Sequence, residues 1–316
     1  MINEYEYEYD DDDVELSDQN IPLTDFEKKC SCCGLYLSYI PAIQKYFLNT
    51  WEIGIAMPLV VLFIILSSYS IFYKNYCKTH LFSVWFFCLI TVVMILYIFS
   101  YLSTIYEGPG YLPFYYPIKY ENNQNQKHNH NQRDEPDYGL NGIVVTDEQR
   151  IYAKSQTLDK RIHFFKLARR FVIRPDHYCG WVHSFIGIKN HKLFFHFNLW
   201  GTVYIFLFLY SSMRYILTYF TQNQKWSIIT LIYMVFGFSF CLSQLIFMID
   251  ICHGFFQNQT QWEKMKIRSF APSHYSCDGW IEVCGPLHKF YSWLIPISPY
   301  HGIDPYLIVK QNEMIL

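Results

Sequence analysis

The chain has 316 residues, of which 52% are hydrophobic, 20% aromatic and only 16% charged, well under the roughly 25% charged share of a soluble domain. That composition points to the lipid bilayer as the main partner. The net charge of -2 gives no footprint for a nucleic-acid partner.

Residues 1 to about 28, with the run EYEYEYDDDD, are expected to form a solvated, disordered tail; the basic flank and cleavage pattern of a signal peptide are missing from it. The tail and a pre-membrane segment together occupy 1–50. Within them KKCSCC carries Cys30, Cys32 and Cys33. Thiols this close to a membrane are either acylated or an unmodified cytosolic cluster.

Four stretches free of Asp, Glu, Lys and Arg follow, Ile53–Phe72, Leu81–Tyr106, Leu193–Met213 and Trp226–Met248. Each reaches the roughly 20 apolar residues that a transmembrane helix needs. The expected architecture is an all-α polytopic membrane protein: helices 1 and 2 in 51–106, a cytosolic loop over 107–192, helices 3 and 4 in 193–250, and a cytosolic C-terminal segment over 251–316. Thirteen of the 25 lysines and arginines fall in the 107–192 loop, which places that loop and both termini in the cytosol. The uncharged spans argue against an ion or proton transporter.

Inside the loop, ENNQNQKHNHNQRDEP (121–136) is a low-complexity spacer, and His128 and His130 there lack acidic or thiol neighbours at metal spacing. Further on, HFFKLARRFVIR (163–174) sets Lys166, Arg169, Arg170 and Arg174 on one side of a helical wheel and Phe164, Ala168, Phe171 and Val172 on the other. The pattern predicts an interfacial helix. Its basic side suits anionic headgroups or, alternatively, makes these four residues candidate phosphate contacts for a phosphate-bearing substrate.

The next stretch, RPDHYCGWVHSFIGIKN (174–190), brings Asp176, His177 and Cys179 together. A thiol reacts as its thiolate; an adjacent His can take the proton, and an Asp can orient that His. Residues two apart do not face each other on a helix, so the unit needs a loop or turn, and Pro175 and Gly180 bracket it accordingly.

These residues resemble the DHHC protein S-acyltransferases. The likeness continues through Trp181, Gly187 and Asn190, which match the family pattern in register. It extends to PGYLP with Pro109 and Gly110 after the second span, and to TQWE with Thr260 and Glu263 after the fourth; YSCDGWIEVCG (275–285) is a weaker likeness to a C-terminal motif and lacks its Asn. The resemblance implies acyl transfer from acyl-CoA, as co-substrate, to membrane-proximal cysteines of cytosolic-facing protein substrates. Cys179 would be the nucleophile, His177 its base and Asp176 the orienter, with Trp181 at the mouth of an acyl cavity among the spans and Asn190, Thr260, Glu263, Pro109 and Gly110 as motif support. It further implies an endomembrane, Golgi or ER, rather than the plasma membrane, and leaves room for an accessory subunit.

Two departures stand out. Tyr178 replaces the family's second His, giving DHYC, a form that some active members share. The positions of the family's zinc ligands hold Ile151, Lys154, Phe164, Phe165, Ala168, Phe171, Tyr178 and Phe185. No metal site and no zinc are therefore expected, with apolar packing holding the loop instead. The rival to the enzyme is an inactive relative serving as a membrane-bound binding or regulatory subunit.

Overall fold

A computed structural model describes residues 27–32, 35–40, 45–48, 51–54, 56–79, 81–112, 161–165, 168, 170–222, 227–266, 276–303, 305 and 307–309. The acidic tail, the low-complexity spacer, Ile151, Lys154, Lys166 and Arg169 lie outside them.

Four helices are each long and apolar enough to cross a bilayer: α1 (Ala56–Thr79), α2 (Val84–Glu107), α3 (His191–Thr221) and α4 (Ile228–Gln257). The expected four-span architecture is present, with the loop between the second and third helices. Ser83 caps α2 by accepting from the Phe86 N–H at 3.4 Å. Asn258 ends α4 in the left-handed region, and its N–H returns to Gly254 and Phe255, the way a helix C-terminus is commonly closed.

The most buried of the four is α3, packed between α2 and α4. At Gly201 a Cβ would run into Gln244 and Tyr97, so glycine is what lets the three helices meet there. Short polar ties cross the bundle, among them Gln244 to Tyr97 at 2.7 Å and Ser68 to Tyr204 at 2.8 Å. His196 donates to the Trp293 carbonyl at 2.8 Å. Asn198 donates to the Phe194 carbonyl at 2.8 Å.

Strands accompany the helices. Ahead of α1 runs an antiparallel sheet of β1 (Glu27–Cys32), β2 (Leu35–Ile40), β3 (Lys45–Leu48) and β4 (Trp51–Glu52). In the loop, β5 (Ile162–Phe165) pairs with β6 (Arg170–Ile173), and β7 (His177–Cys179) with β8 (Ser184–Ile186). Beyond α4 come two short helices, α5 (Gln261–Lys266) and α6 (Asp278–Cys284), and a 3-10 segment, Leu287–Leu294.

The hairpin β5–β6 corrects the interfacial helix expected over 163–174. Phe171, Val172 and Ile173 are all buried, which a one-sided amphipathic helix does not allow. In a strand, neighbours point to opposite faces, and here both faces are covered. Phe171, Ile173 and Ile162 pack with Leu112, Ile188, Ile308 and Val309, while Val172 and Phe165 pack with Phe185.

Candidate active site

Strand geometry decides which side chains of the DHYC segment meet. In the β7–β8 pairing His177 lies opposite Ile186, Tyr178 opposite Phe185 and Cys179 opposite Ser184. A period of two puts His177 and Cys179 on one face and Tyr178 on the other. Cys179 and Ile186 join the core cluster of the helix bundle, whereas Tyr178 and Phe185 belong to a separate aromatic cluster.

His177 sits between its two partners. Nδ1 donates to Asp176 Oδ2 at 2.8 Å, and the Cys179 sulfur lies near enough to act on the same ring. Burial alone would lower the basicity of the imidazole. The bond to Asp176 and the nearby Cys179 sulfur outweigh it and push His177 up to about 10, so the ring holds a proton at neutral pH. Burial would likewise raise the Asp176 carboxyl; the His191 and His177 rings and the Gln261 amide overcome it and hold Asp176 well below the usual carboxylate range. Cys179 is 5% exposed, which shields the thiol from bulk water.

The site forms where α1 begins, α2 ends, α3 begins and α4 ends. Trp51 of β4 donates its indole N–H to the Val182 carbonyl at 3.0 Å, and Tyr101 of α2 donates to the Trp181 carbonyl at 2.7 Å, so the turn after Cys179 hangs from the strand ahead of α1 and from α2. Trp181 is 42% exposed and meets Phe240 of α4 edge-on at 5.9 Å. Asn190 is fully buried. Its amide donates to the carbonyls of Phe185 and Thr104, and its oxygen accepts from the Gly187 N–H. At Gly187 a Cβ would come within 2.5 Å of the Pro109 carbonyl. Gly110, at φ +90°, accepts from the Ile173 N–H at 3.3 Å. The Pro109–Gly110 turn is thereby laid against β6.

TQWE acts as a capping box at the start of α5. The Thr260 N–H donates to Glu263 Oε2 at 2.8 Å and the Glu263 N–H to Thr260 Oγ1 at 3.2 Å, satisfying otherwise orphaned helix N–H groups. The same turn holds the dyad from beneath: Gln261 N–H reaches Asp176 Oδ1 at 2.9 Å and Trp262 N–H the Asp176 carbonyl at 3.0 Å.

Of the four candidate phosphate contacts, Lys166 and Arg169 lie outside the described residues, and Arg170 is described only as strand backbone opposite Phe165. Arg174 is turned inward, 1% exposed, pairing with Glu282 at 3.2 Å; the expected surface role does not fit that burial. Arg174 belongs instead to a charge network that sequence reasoning missed. Arg161 forks onto Glu263 at 2.6 and 2.8 Å and onto Glu282 at 2.7 Å, tying the hairpin to α5 and α6. The only signal was Glu263 itself, a buried carboxylate that calls for a cation.

At the positions where the resemblance implies zinc ligands, Phe165, Ala168, Tyr178 and Phe185 gather in one aromatic cluster with Trp262, and Phe171 joins the neighbouring one. Phe165 lies 4.3 Å from Phe185, and Tyr178 5.2 Å from Phe185, centroid to centroid. Rings in mutual contact supply none of the N or S donors that zinc needs; these residues do not fit the metal. Phe185→Ala is expected to destabilise the loop by about 3–5 kcal/mol, the usual cost of emptying a buried Phe site. A lower melting temperature of the purified chain, alongside slower labelling of Cys179, would show it.

Residues 146–268 match the family model for DHHC palmitoyltransferase. Palmitoyltransferase PFA3 of Candida albicans is 28% identical over 198 residues, 58% of this chain and 48% of that protein. Palmitoyltransferase PFA3 of Eremothecium gossypii is 30% identical over 125 residues, 37% of each. Palmitoyltransferase AKR1 of Candida albicans is 42% identical over 55 residues, 17% of this chain and 7% of that protein. The chain thus spans less than half the length of these relatives. Through the segment that carries Asp176, His177 and Cys179, it is similar to the DHHC palmitoyltransferases.

Proposed function

We propose that the chain is a protein S-acyltransferase that moves a palmitoyl or similar chain from acyl-CoA to protein cysteines through an acyl-enzyme on Cys179. The observation that carries this is the placement of His177 and Cys179 on one face of β7, with Asp176 behind the imidazole and the helix bundle in front of the thiol. The likeness to palmitoyltransferases over 146–268 supports it.

With the proton on His177, the Cys179 thiolate attacks the acyl-CoA carbonyl. The C–S bond to coenzyme A breaks, and its sulfur leaves with the proton from His177. A substrate thiol then gives its proton to His177 and attacks the acyl-enzyme, releasing Cys179 as thiolate; no electrons change hands. Holding the acyl chain among the helices avoids about 0.8 kcal/mol per CH₂ exposed to water, and Trp181 is proposed for the entrance. Pro109, Gly110, Asn190, Thr260 and Glu263 brace the loop. The loop and both termini face the cytosol of a Golgi or ER membrane, where substrates present membrane-proximal cysteines, with or without an accessory subunit.

The loop is proposed to work without structural zinc, because aromatic and apolar side chains packed together stand at the ligand positions. Elemental analysis of active, purified chain is expected to find far less than one zinc per molecule. Stoichiometric zinc, or activity lost to a chelator and restored by zinc, would overturn that. The same departure is what would favour an inactive binding subunit. Incubating the purified chain in vesicles with labelled palmitoyl-CoA and a cysteine-bearing membrane peptide separates the two: an enzyme labels the peptide over many turnovers, and a binding subunit does not.

A further inference from the structure

A second histidine lies against the Asp176–His177 pair. His191, the first residue of α3, is 2% exposed, with its ring edge-on to Phe255 at 4.9 Å. The Arg174 guanidinium stands 3.1 Å from His191 Nδ1. Arginine is only a donor, so Nδ1 accepts and the neutral ring carries its proton on Nε2. That atom is buried with no hydrogen-bond partner, and the Asp176 Oδ2 oxygen held by His177 lies 3.9 Å from it.

We propose that His191 is a positioning residue for the Asp176–His177 pair: Arg174 locks it as the Nε2–H tautomer, and that N–H faces Asp176 Oδ2 and keeps the carboxylate ionised and turned toward His177. This deepens the acyltransferase reading and rests on it for its purpose. At 3.9 Å the contact is electrostatic rather than a formed hydrogen bond. In a buried site the orientation of one N–H still weighs on a carboxylate that has few other partners. Asp176 otherwise has the Gln261 N–H on Oδ1 and His177 on Oδ2, so losing the N–H of His191 frees the carboxylate to turn and to take up a proton more readily. The charged groups facing His191 are Asp176 and His177 from the β7 side, Arg174 and Arg161 from the hairpin, and Asp250 and Lys264, which share the cleft beneath it.

The test is alkylation of Cys179 by iodoacetamide in the full chain, followed peptide by peptide by mass spectrometry against pH. It reads the thiolate directly and needs no acyl transfer, so its failure is distinct from failure of the acyltransferase reading. His191→Phe keeps a ring against Phe255 and removes both nitrogens. It is expected to move the acid edge of the Cys179 alkylation profile up by about one pH unit, which slows alkylation about tenfold at any pH below that edge. His191→Gln, whose oxygen can accept from Arg174 and whose amide can donate to Asp176, should restore most of the rate. An unchanged profile in His191→Phe, or equal slowing in both variants, would overturn the proposal. Should His191→Phe not fold, nitrogen NMR of the wild-type ring decides: the neutral Nε2–H tautomer at neutral pH supports it, and a protonated or Nδ1–H ring overturns it.

Discussion

Cys179→Ser is expected to abolish acyl transfer, the largest single effect in the molecule. Among the described cysteines, the nearest rivals lack its setting. Cys241 and Cys284 are buried and Cys252 partly so, Cys77, Cys88 and Cys277 are exposed, and none of these six shares a strand face with a histidine as Cys179 does with His177. A serine hydroxyl keeps the shape but not the chemistry, since the proposed attack needs a thiolate-type nucleophile and an alcohol is far harder to ionise than a thiol. Radiolabelled palmitoyl-CoA and a gel assay read the result: no label on the variant and none passed to a peptide. Transfer that survives the substitution would move the nucleophile elsewhere, with KKCSCC as the next candidate.

His177→Ala and Tyr178→Phe should separate cleanly, although the two residues are neighbours in sequence. His177 touches both Asp176 and Cys179, so its loss removes the proton carrier and is expected to slow self-acylation by about 10² to 10⁴. Tyr178 points to the opposite face, where its ring meets Phe185 and its hydroxyl stands 3.3 Å from His183 Nδ1. Removing only the hydroxyl should leave most of the rate. Single-turnover labelling of the two variants side by side is the measurement, and equal losses would refute the division of roles.

How much of this is legible in the sequence follows from the range of each interaction. The spans are, because about 20 apolar residues in a row satisfy the bilayer locally, whatever their neighbours do. The triad is legible as an acid, a base and a thiol within four residues, but not the geometry that makes it work. The turn expected between Pro175 and Gly180 is instead a strand whose alternation aligns His177 with Cys179. The helix expected over 163–174 fails for the opposite reason: its two buried faces are covered by Ile188, Ile308 and Phe185 from elsewhere in the chain. Local pattern carries no record of such partners. The same holds for Arg161, which meets Glu263 and Glu282 across 102 and 121 residues, and for Arg174, whose place on a helical wheel suggested a surface it does not reach.

The role of Cys179 as acyl carrier is tested most directly on the unmodified chain. Purified protein is mixed with palmitoyl-CoA in the absence of any acceptor, digested, and its cysteine peptides weighed before and after neutral hydroxylamine, which cleaves thioesters. A palmitoyl adduct on the peptide containing Cys179, removed by hydroxylamine and passed on when an acceptor thiol is added, is the predicted result. An unmodified Cys179 in a preparation that still acylates its acceptor, or an adduct on Cys179 that no acceptor can remove, would contradict it.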